Sequence, residues 1–445
     1  MDRASTLLKD IPESPAGRRM KWYLGMLLSG GERASAADRD RYMPEIAKRI
    51  GPFESDDRER EGWRGFAGRM GEISELSVEP RSEFKIDARV IAAKNRKWLL
   101  SIEVEETPPH RMTRVAWERQ FEFKLEVREA TAADAPILAD IERRVPIVLG
   151  DTHIHFERGN DYFAFKRLME DCTIGIASVD GVPAAASCGA KHVVRIGGVP
   201  RPIVTVLHLR VLPEHQRKGL WGAANRILDK YWSNVDGSSA YISVDNAGMQ
   251  HGFINTPNKW SITALRLQLP CATLAGPAAG RPATPADAPA IVELLNSFHG
   301  REEMYVPYTV ESLRARLERA PELYSWGNLW MTERAIVGVW PAGESIRVVT
   351  VTNGKRTESL RGMVLDYAFM PGAEREFEAL IRAWCGSIHK GGMDTLSIFT
   401  SPASPGVETL RTLAREVEPY NMWTPGIPEG PDAREHGLYV DPIYF

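Results

Sequence analysis

The chain has 445 residues and only four cysteines, Cys172, Cys188, Cys271 and Cys385. They form no close pair along the sequence and no zinc spacing, so they are expected to be structural thiols in a reducing compartment. An excess of basic charge is also missing. Lys+Arg 56 against Asp+Glu 59 leaves a net charge of −3, which gives no field for gathering nucleic acid. No apolar run reaches membrane-spanning length. The longest stretch near the start, Met20 to Leu28, is short, contains Lys21 and follows Arg18 and Arg19, so neither a secretory core nor a membrane span is expected there. The expected location is therefore the cytoplasm, with no nucleic-acid or membrane partner. No Gly-x-Gly-x-x-Gly follows a predicted strand, which argues against a dinucleotide-binding domain. What remains is an ordinary globular composition, 43% hydrophobic and 26% charged, in a chain long enough for about three domains.

The most informative stretch runs from Val204 to Trp232. Val204, Val206, Leu207, Leu209 and Val211 read as a buried strand. A turn, Pro213-Glu214-His215-Gln216-Arg217-Lys218-Gly219, follows. Leu220, Ala223, Ala224, Ile227, Leu228 and Tyr231 then have the spacing of one helical face. A strand feeding a glycine loop that opens a helix gathers backbone N–H groups and the positive dipole end at one point, which suits a phosphate. Arg217 and Lys218 add charge at the rim. An ordinary strand-turn-helix with a solvated basic turn would use the same residues.

Gln216-Arg217-Lys218-Gly219-Leu220-Trp221, preceded by Val211-Leu212-Pro213, resembles motif A of the GNAT acyltransferases. Trp221 departs from the pattern, which has a small residue there, and Gly222 comes one position later. The resemblance implies that acetyl-CoA or another acyl-CoA binds between Leu209, Arg210 and Val211 and the loop Gln216, Arg217, Lys218, Gly219, Leu220, Trp221 and Gly222. Asn246, after the run Ser239 to Val244, matches the opening of the family's motif B. The fold class implied is mixed α/β: two tandem GNAT folds, each a central sheet flanked by helices.

Ahead of them, residues 1–124 read as helices followed by strands. Ser14-Pro15 opens an amphipathic helix that Gly30-Gly31 ends, and further helices are expected over 35–50 and 55–70. Short β-rich runs follow at Glu75–Val78, Phe84–Ala92, Lys97–Val104 and Met112–Phe123, indicating a small α+β domain. With Ala16-Gly17-Arg18-Arg19, Trp98 and Pro109-His110-Arg111, it resembles the cystatin-like domains ahead of some serine β-lactamase-like proteins. No Ser-x-x-Lys accompanies it, so docking or homodimer formation is its expected role.

The domain boundaries follow from a repeat. Arg128-Glu-Ala-Thr-Ala-Ala-Asp-Ala-Pro136 recurs as Arg281-Pro-Ala-Thr-Pro-Ala-Asp-Ala-Pro289, each before an amphipathic helix. Thr131 and Thr284 are the expected N-caps. The expected units are 1–124, 125–275 and 276–445, with Ala272–Gly280 as linker. Counting from Pro213 and Pro371, Gln216-x-x-Gly219 becomes Glu374-x-x-Phe377, with Glu376 and Glu378 nearby. Losing the glycine and gaining carboxylates implies that the second copy has no anion site. The apolar run Gly437–Phe445 is expected to dock as a strand or lid.

The catalytic assignments stay open. The family often holds Glu or His early in the organising strand and a Tyr after motif B, and here neither is in place. His208 is either the base or a core residue. His251, near where the Tyr would stand, or solvent would protonate the leaving thiolate. His153, His155 and Tyr162 lie in the region that covers the acceptor in this family. Two histidines without a third ligand do not make a metal site, so none is expected. The implied activity is acyl transfer, N-acetylation in the first place, to an amine or hydroxyl of a small-molecule or carrier-bound acceptor. The alternatives are a non-catalytic CoA-binding scaffold and a catalyst using a carrier-protein thioester in secondary metabolism.

Overall fold

The structure is a computed structural model of the chain, and it describes every residue except 1–2, 31, 33–34, 44–62, 65–66, 69, 160, 233, 247–248, 250–258, 425–426, 428–429, 431–432 and 445. The chain divides into two compact units, with the change at Leu125 and Glu126. No helix among the described residues is long and apolar enough to cross a membrane.

In the first unit, helix α1 (Pro15–Leu28) starts as its sequence requires. Ser14 Oγ accepts from Gly17 N at 3.2 Å, and Pro15 occupies the first turn. Of the helix expected over 35–50, α2 (Ala36–Tyr42) is described; the rest, and most of the helix expected over 55–70, lie outside the described residues. Four strands form an antiparallel meander: β1 (Ile73–Pro80), β2 (Lys85–Ala92), β3 (Arg96–Val104) and β4 (Met112–Gln120). Its inner face, with Ile86, Ala88, Val90, Leu100 and Ile102, packs on Met20, Tyr23, Leu24 and Leu27 of α1. Arg19 donates to the carbonyl oxygens of His110, at 2.9 Å, and Pro109, which joins the two motifs singled out in the sequence.

The second unit begins with β5 (Leu125–Glu129), α3 (Ala135–Arg144), β6 (Ile147–Leu149), β7 (Thr152–Arg158), α4 (Ala164–Leu168), β8 (Asp171–Val179), β9 (Val182–Ile196) and β10 (Val199–Val211). The helix expected over 220–231 is interrupted: α5 (Leu220–Ala224), a 3-10 turn over Asn225–Leu228, then α6 (Asp229–Trp232). Its apolar face is as expected, with Leu220, Ala223, Ala224, Leu228 and Tyr231 buried. Glycines let it sit close to the sheet, since a Cβ on Gly189 would stand 2.2 Å from Leu228. Strands β11 (Gly237–Ser243) and β12 (Lys259–Pro270) complete this half.

The second half repeats the plan with β13 (Arg281–Pro282), α7 (Ala288–His299), α8 (Val310–Glu318), β14 (Leu329–Met331), β15 (Ala335–Trp340), β16 (Ile346–Thr352), β17 (Lys355–Phe369), α9 (Glu374–Lys390), β18 (Thr395–Thr400), α10 (Val407–Leu413) and β19 (Glu416–Trp423). The two matched nine-residue segments fold alike. Arg128 pairs with Asp134 and Arg281 with Asp287, each through two guanidinium hydrogen bonds, and Thr131 and Thr284 close capping boxes.

One mixed sheet runs β13-β14-β15-β17-β18-β12-β19-β11-β10-β9-β8-β5. The halves exchange their last strands: β12 pairs with β18, β19 pairs with β11, and β12 and β19 pair with each other. Strands β7 and β16 also pair across the halves. The stretch after β12 is no loose linker, because Gly276 N donates to Arg382 O at 2.9 Å. The cysteines, distant in sequence, meet in space: the Cys172 and Cys188 sulfurs are 3.3 Å apart, and Cys271 lies against Cys385.

Candidate functional site

Both halves contain a fork. Strand β10 runs parallel to β11 only from Ile203 to Thr205, paired with Gly237 to Ser239. Beyond that, β11 pairs with β19, and the edge of β10 from Val206 to Val211 has no ladder on that side with the described residues. On its other side, β10 carries a bulge between Leu207 and Arg210 against β9. In the second half, β17 and β18 pair only from Arg361 to Met363.

The loops beyond the forks differ. After β10, Pro213–His215 forms a 3-10 turn, and Gln216 Nε2 donates to Val211 O at 3.2 Å. Arg217 and Gly219 then take positive φ, 62° and 86°. For Gly219 that conformation carries no steric cost. Arg217 and Lys218 are exposed, with no carboxylate partner among the described residues. After β17 only Met370–Ala373 intervene before α9. Phe377 is fully buried one turn into that helix, stacked on Phe369 with ring centroids 4.6 Å apart. The three carboxylates expected to confront an anion have partners instead. Glu374 accepts from Gly372 N, Glu376 from Thr332 and Arg334, and Glu378 from Arg382. They occupy the helix start with the protein's own charges.

The sequence-assigned residues fall into separate places. Leu209, Arg210 and Val211 border the first fork, and Gln216 to Gly222 form the loop and the start of α5. Asn246 sits just past β11, where its Oδ1 accepts from Met249 N at 3.2 Å. His251 lies outside the described residues. His153 and His155 are on β7. The first is at the hairpin tips with Asp151 and Asn353, and the second meets Arg143 O through Nδ1 at 3.0 Å. Tyr162 packs in the core beside Arg158.

His208 sits at the bulge with φ 47°. Its Nδ1 accepts from Arg158 Nη2 at 3.3 Å, and Arg158 is itself buried in a pair with Glu142 at 2.8 Å. Desolvation first, then Arg158 and Arg210, push its pKa well below the histidine range. A ring whose Nδ1 lone pair faces a guanidinium is poorly placed to take up a proton there.

Sequence reasoning missed the cavity at the first fork. It has a volume of about 450 Å³ and is lined by His192, Thr205 and Tyr241 on three adjacent strands, by residues 304–309 and α8, and by Tyr439, Asp441 and Tyr444. His192 Nε2 is 2.8 Å from Thr205 Oγ1, which is 2.7 Å from Ser239 Oγ. The imidazole stacks on Tyr444 at 3.8 Å, and its Nδ1 has no hydrogen bond to the described residues. Desolvation lowers its pKa to about 4, opposed by the charge of Asp441, so the ring is neutral at pH 7. The C-terminal run docks, though as an isolated bridge at Leu438 and a 3-10 turn over Pro442–Tyr444 and not as a strand: Tyr439 N donates to Glu303 O at 2.9 Å and Leu438 N to Ser401 Oγ at 2.8 Å. Its apolar, aromatic composition was the signal available in the sequence.

No family model and no curated protein matches the sequence. Among solved structures, the chain is similar to Saccharomyces cerevisiae N-myristoyltransferase with bound myristoyl-CoA, at TM-score 0.50 and 12% identity, over 76% of this chain and 92% of that one. The large mixed sheet flanked by helices is the fold of that neighbour. A GCN5-related N-acetyltransferase from Sphaerobacter thermophilus is also similar, at TM-score 0.41 and 13% identity, over 69% of this chain and 98% of that one. At these identities the likeness concerns architecture alone.

Proposed function

We propose that the protein is an acyl-CoA-dependent acyltransferase built from two GNAT-like copies, 125–275 and 276–445, of which only the first binds the acyl donor. The observation that carries this reading is the first fork with its open, positively charged glycine loop at one end and a cavity at the other. The loop fits a pyrophosphate: Gly219 leaves room for close approach, and Arg217 and Lys218 are free to meet negative charge. The unpaired edge of β10 from Val206 to Val211 offers backbone groups to a pantetheine arm. The cavity at the fork would take the acceptor, an amine or hydroxyl of a small molecule or carrier-bound intermediate. Residues 1–124 would dock or dimerise. Four buried free thiols fit a reducing compartment, and we assign the protein to the cytoplasm.

In this reading the acceptor's lone pair attacks the thioester carbonyl, the C–S bond breaks and the thiolate leaves. His192, rather than His208, lines the cavity, and its Nδ1 has no hydrogen bond to the described residues, so it accepts the proton from the attacking group. A base with so low a pKa holds a proton only briefly, and the leaving thiolate, with a thiol pKa of about 8.5, is the stronger final acceptor. Mass spectrometry of ligands retained by the native protein, followed by assay of CoA thiol release, tests the proposal. Retained CoA or acyl-CoA with turnover supports it. Retained CoA without turnover on any acceptor makes the protein a binding scaffold, and the absence of any CoA affinity overturns it.

A further inference from the structure

Resting on that reading, the cavity's chemistry narrows the acceptor. We infer that it is a diamine or a guanidino-amine whose reacting ammonium has first given its proton to water, so that its other, non-reacting cation sits among tyrosine rings beside Asp441 while the free amine reaches the fork. Tyr305, Tyr308 and Tyr439 form the wall away from the fork, with Tyr305 centroids 5.0 Å from Tyr439 and 6.2 Å from Tyr308. Tyr305 OH donates to Asn296 at 2.7 Å and Tyr308 OH to Asp366 at 3.3 Å. With two hydroxyls so engaged, the wall is built largely of ring surface, and ring faces attract cations.

The charge has the matching sign. Arg316 meets two carboxylates, Asp441 at 2.9 Å and Asp366 at 3.3 Å, so one guanidinium faces two anions. The charged lining groups themselves balance, Glu170 and Asp441 against Arg316 and Arg319, and the fully buried Asp366 behind Arg316 leaves the cluster as a whole with one net negative charge. Asp441, held by Arg316 through both carboxylate oxygens, lines the cavity and also acts on His192, Tyr241, Tyr308, Tyr439 and Tyr444. An acceptor carrying a carboxylate would face that field and find both arginines already engaged, Arg316 by the two aspartates and Arg319 by the Leu168 carbonyl at 3.2 Å. A neutral His192 beside the fork leaves the reacting amine free of a competing positive charge.

Calorimetry on the full-length protein with putrescine, cadaverine, pentylamine and 5-aminopentanoate tests this. The better diamine should bind at least about tenfold more tightly than pentylamine, and the zwitterion more weakly than pentylamine; tenfold corresponds to about 1.4 kcal/mol. Asp441→Asn should remove most of the diamine's advantage and leave pentylamine unchanged. Should that variant fail to fold, Tyr439 supplies the alternative: Tyr439→Phe keeps the ring and the diamine affinity, and Tyr439→Leu loses it. Equal or tighter binding of the zwitterion, or diamine affinity indifferent to both positions, overturns the inference. Thiol release from acetyl-CoA separates it from the broader reading. Diamines that bind as described but release no thiol leave the cavity assignment standing and overturn the transferase. Thiol release with uncharged acceptors alone does the reverse.

Discussion

The two forks are made by equivalent strands, and their loops show how one scaffold comes to have a single open end. After β10, seven residues, Leu212 to Lys218, and then Gly219 separate the strand from its helix, which is broken into short pieces. After β17, Met370–Ala373 lead directly into the unbroken helix Glu374–Lys390. The second helix gains a continuous hydrogen-bond ladder and a buried Phe377, and the glutamates at its start are engaged by Gly372, Thr332, Arg334 and Arg382. The first half gives up that helix order and keeps an exposed loop with Gly219 and two basic side chains that have no carboxylate partner among the described residues. A continuous, buried helix start and an accessible loop are alternatives at this position, and each half shows one of them.

The largest effect is expected from removing the open loop. Gly219→Glu puts a side chain and a carboxylate into a position at φ 86°, and acyl-CoA affinity measured by calorimetry should fall more than about a hundredfold. Near-normal affinity would mean that the loop is not the donor site. The converse change tests the closed half. Phe377→Ala should lower unfolding free energy in denaturant titration by about 3–5 kcal/mol, as for a fully buried aromatic, and should create no second binding site. A gain of binding would show that the ring alone closes that fork.

Inside the first fork, His192→Gln should reduce kcat by about a hundredfold with acyl-CoA affinity retained, while His208→Gln leaves the pH–rate profile unshifted. The opposite pattern would restore His208 as the base. The smallest effect concerns acid. His192 ionises near pH 4 when folded, against 6.5 when unfolded. Its contribution to stability is therefore complete above about 6.5 and is lost as pH falls from there toward 4. Tm measured across that window should drop less in His192→Gln than in the parent. Parallel curves would show that the ring is not desolvated.

Much of the scaffold was legible because its signals are local. Ser14-Pro15 and the paired Arg-x-x-Thr-x-x-Asp caps each fix structure within a few residues. The organising strand and the buried face after Gly219 were read correctly too. What stayed hidden depends on partners far away in the chain. The exchange of β12 and β19, the pairing of β7 with β16 and the meeting of Cys172 with Cys188 leave no local pattern. The cavity was missed for the same reason, since His192, Thr205, Tyr241, Arg316 and Asp441 come from five separate segments. The expected unbroken helix after Gly219 failed because helical spacing reports which face is buried and not whether every turn closes.

The central claim is that two similar halves provide one acyl-donor site. Titrating the intact chain with acetyl-CoA in a calorimeter measures the stoichiometry directly. One molecule per chain, abolished by Gly219→Glu and unaffected by a charge reversal at Glu374, is the result this account predicts. Two molecules per chain, or one that survives Gly219→Glu, would contradict it.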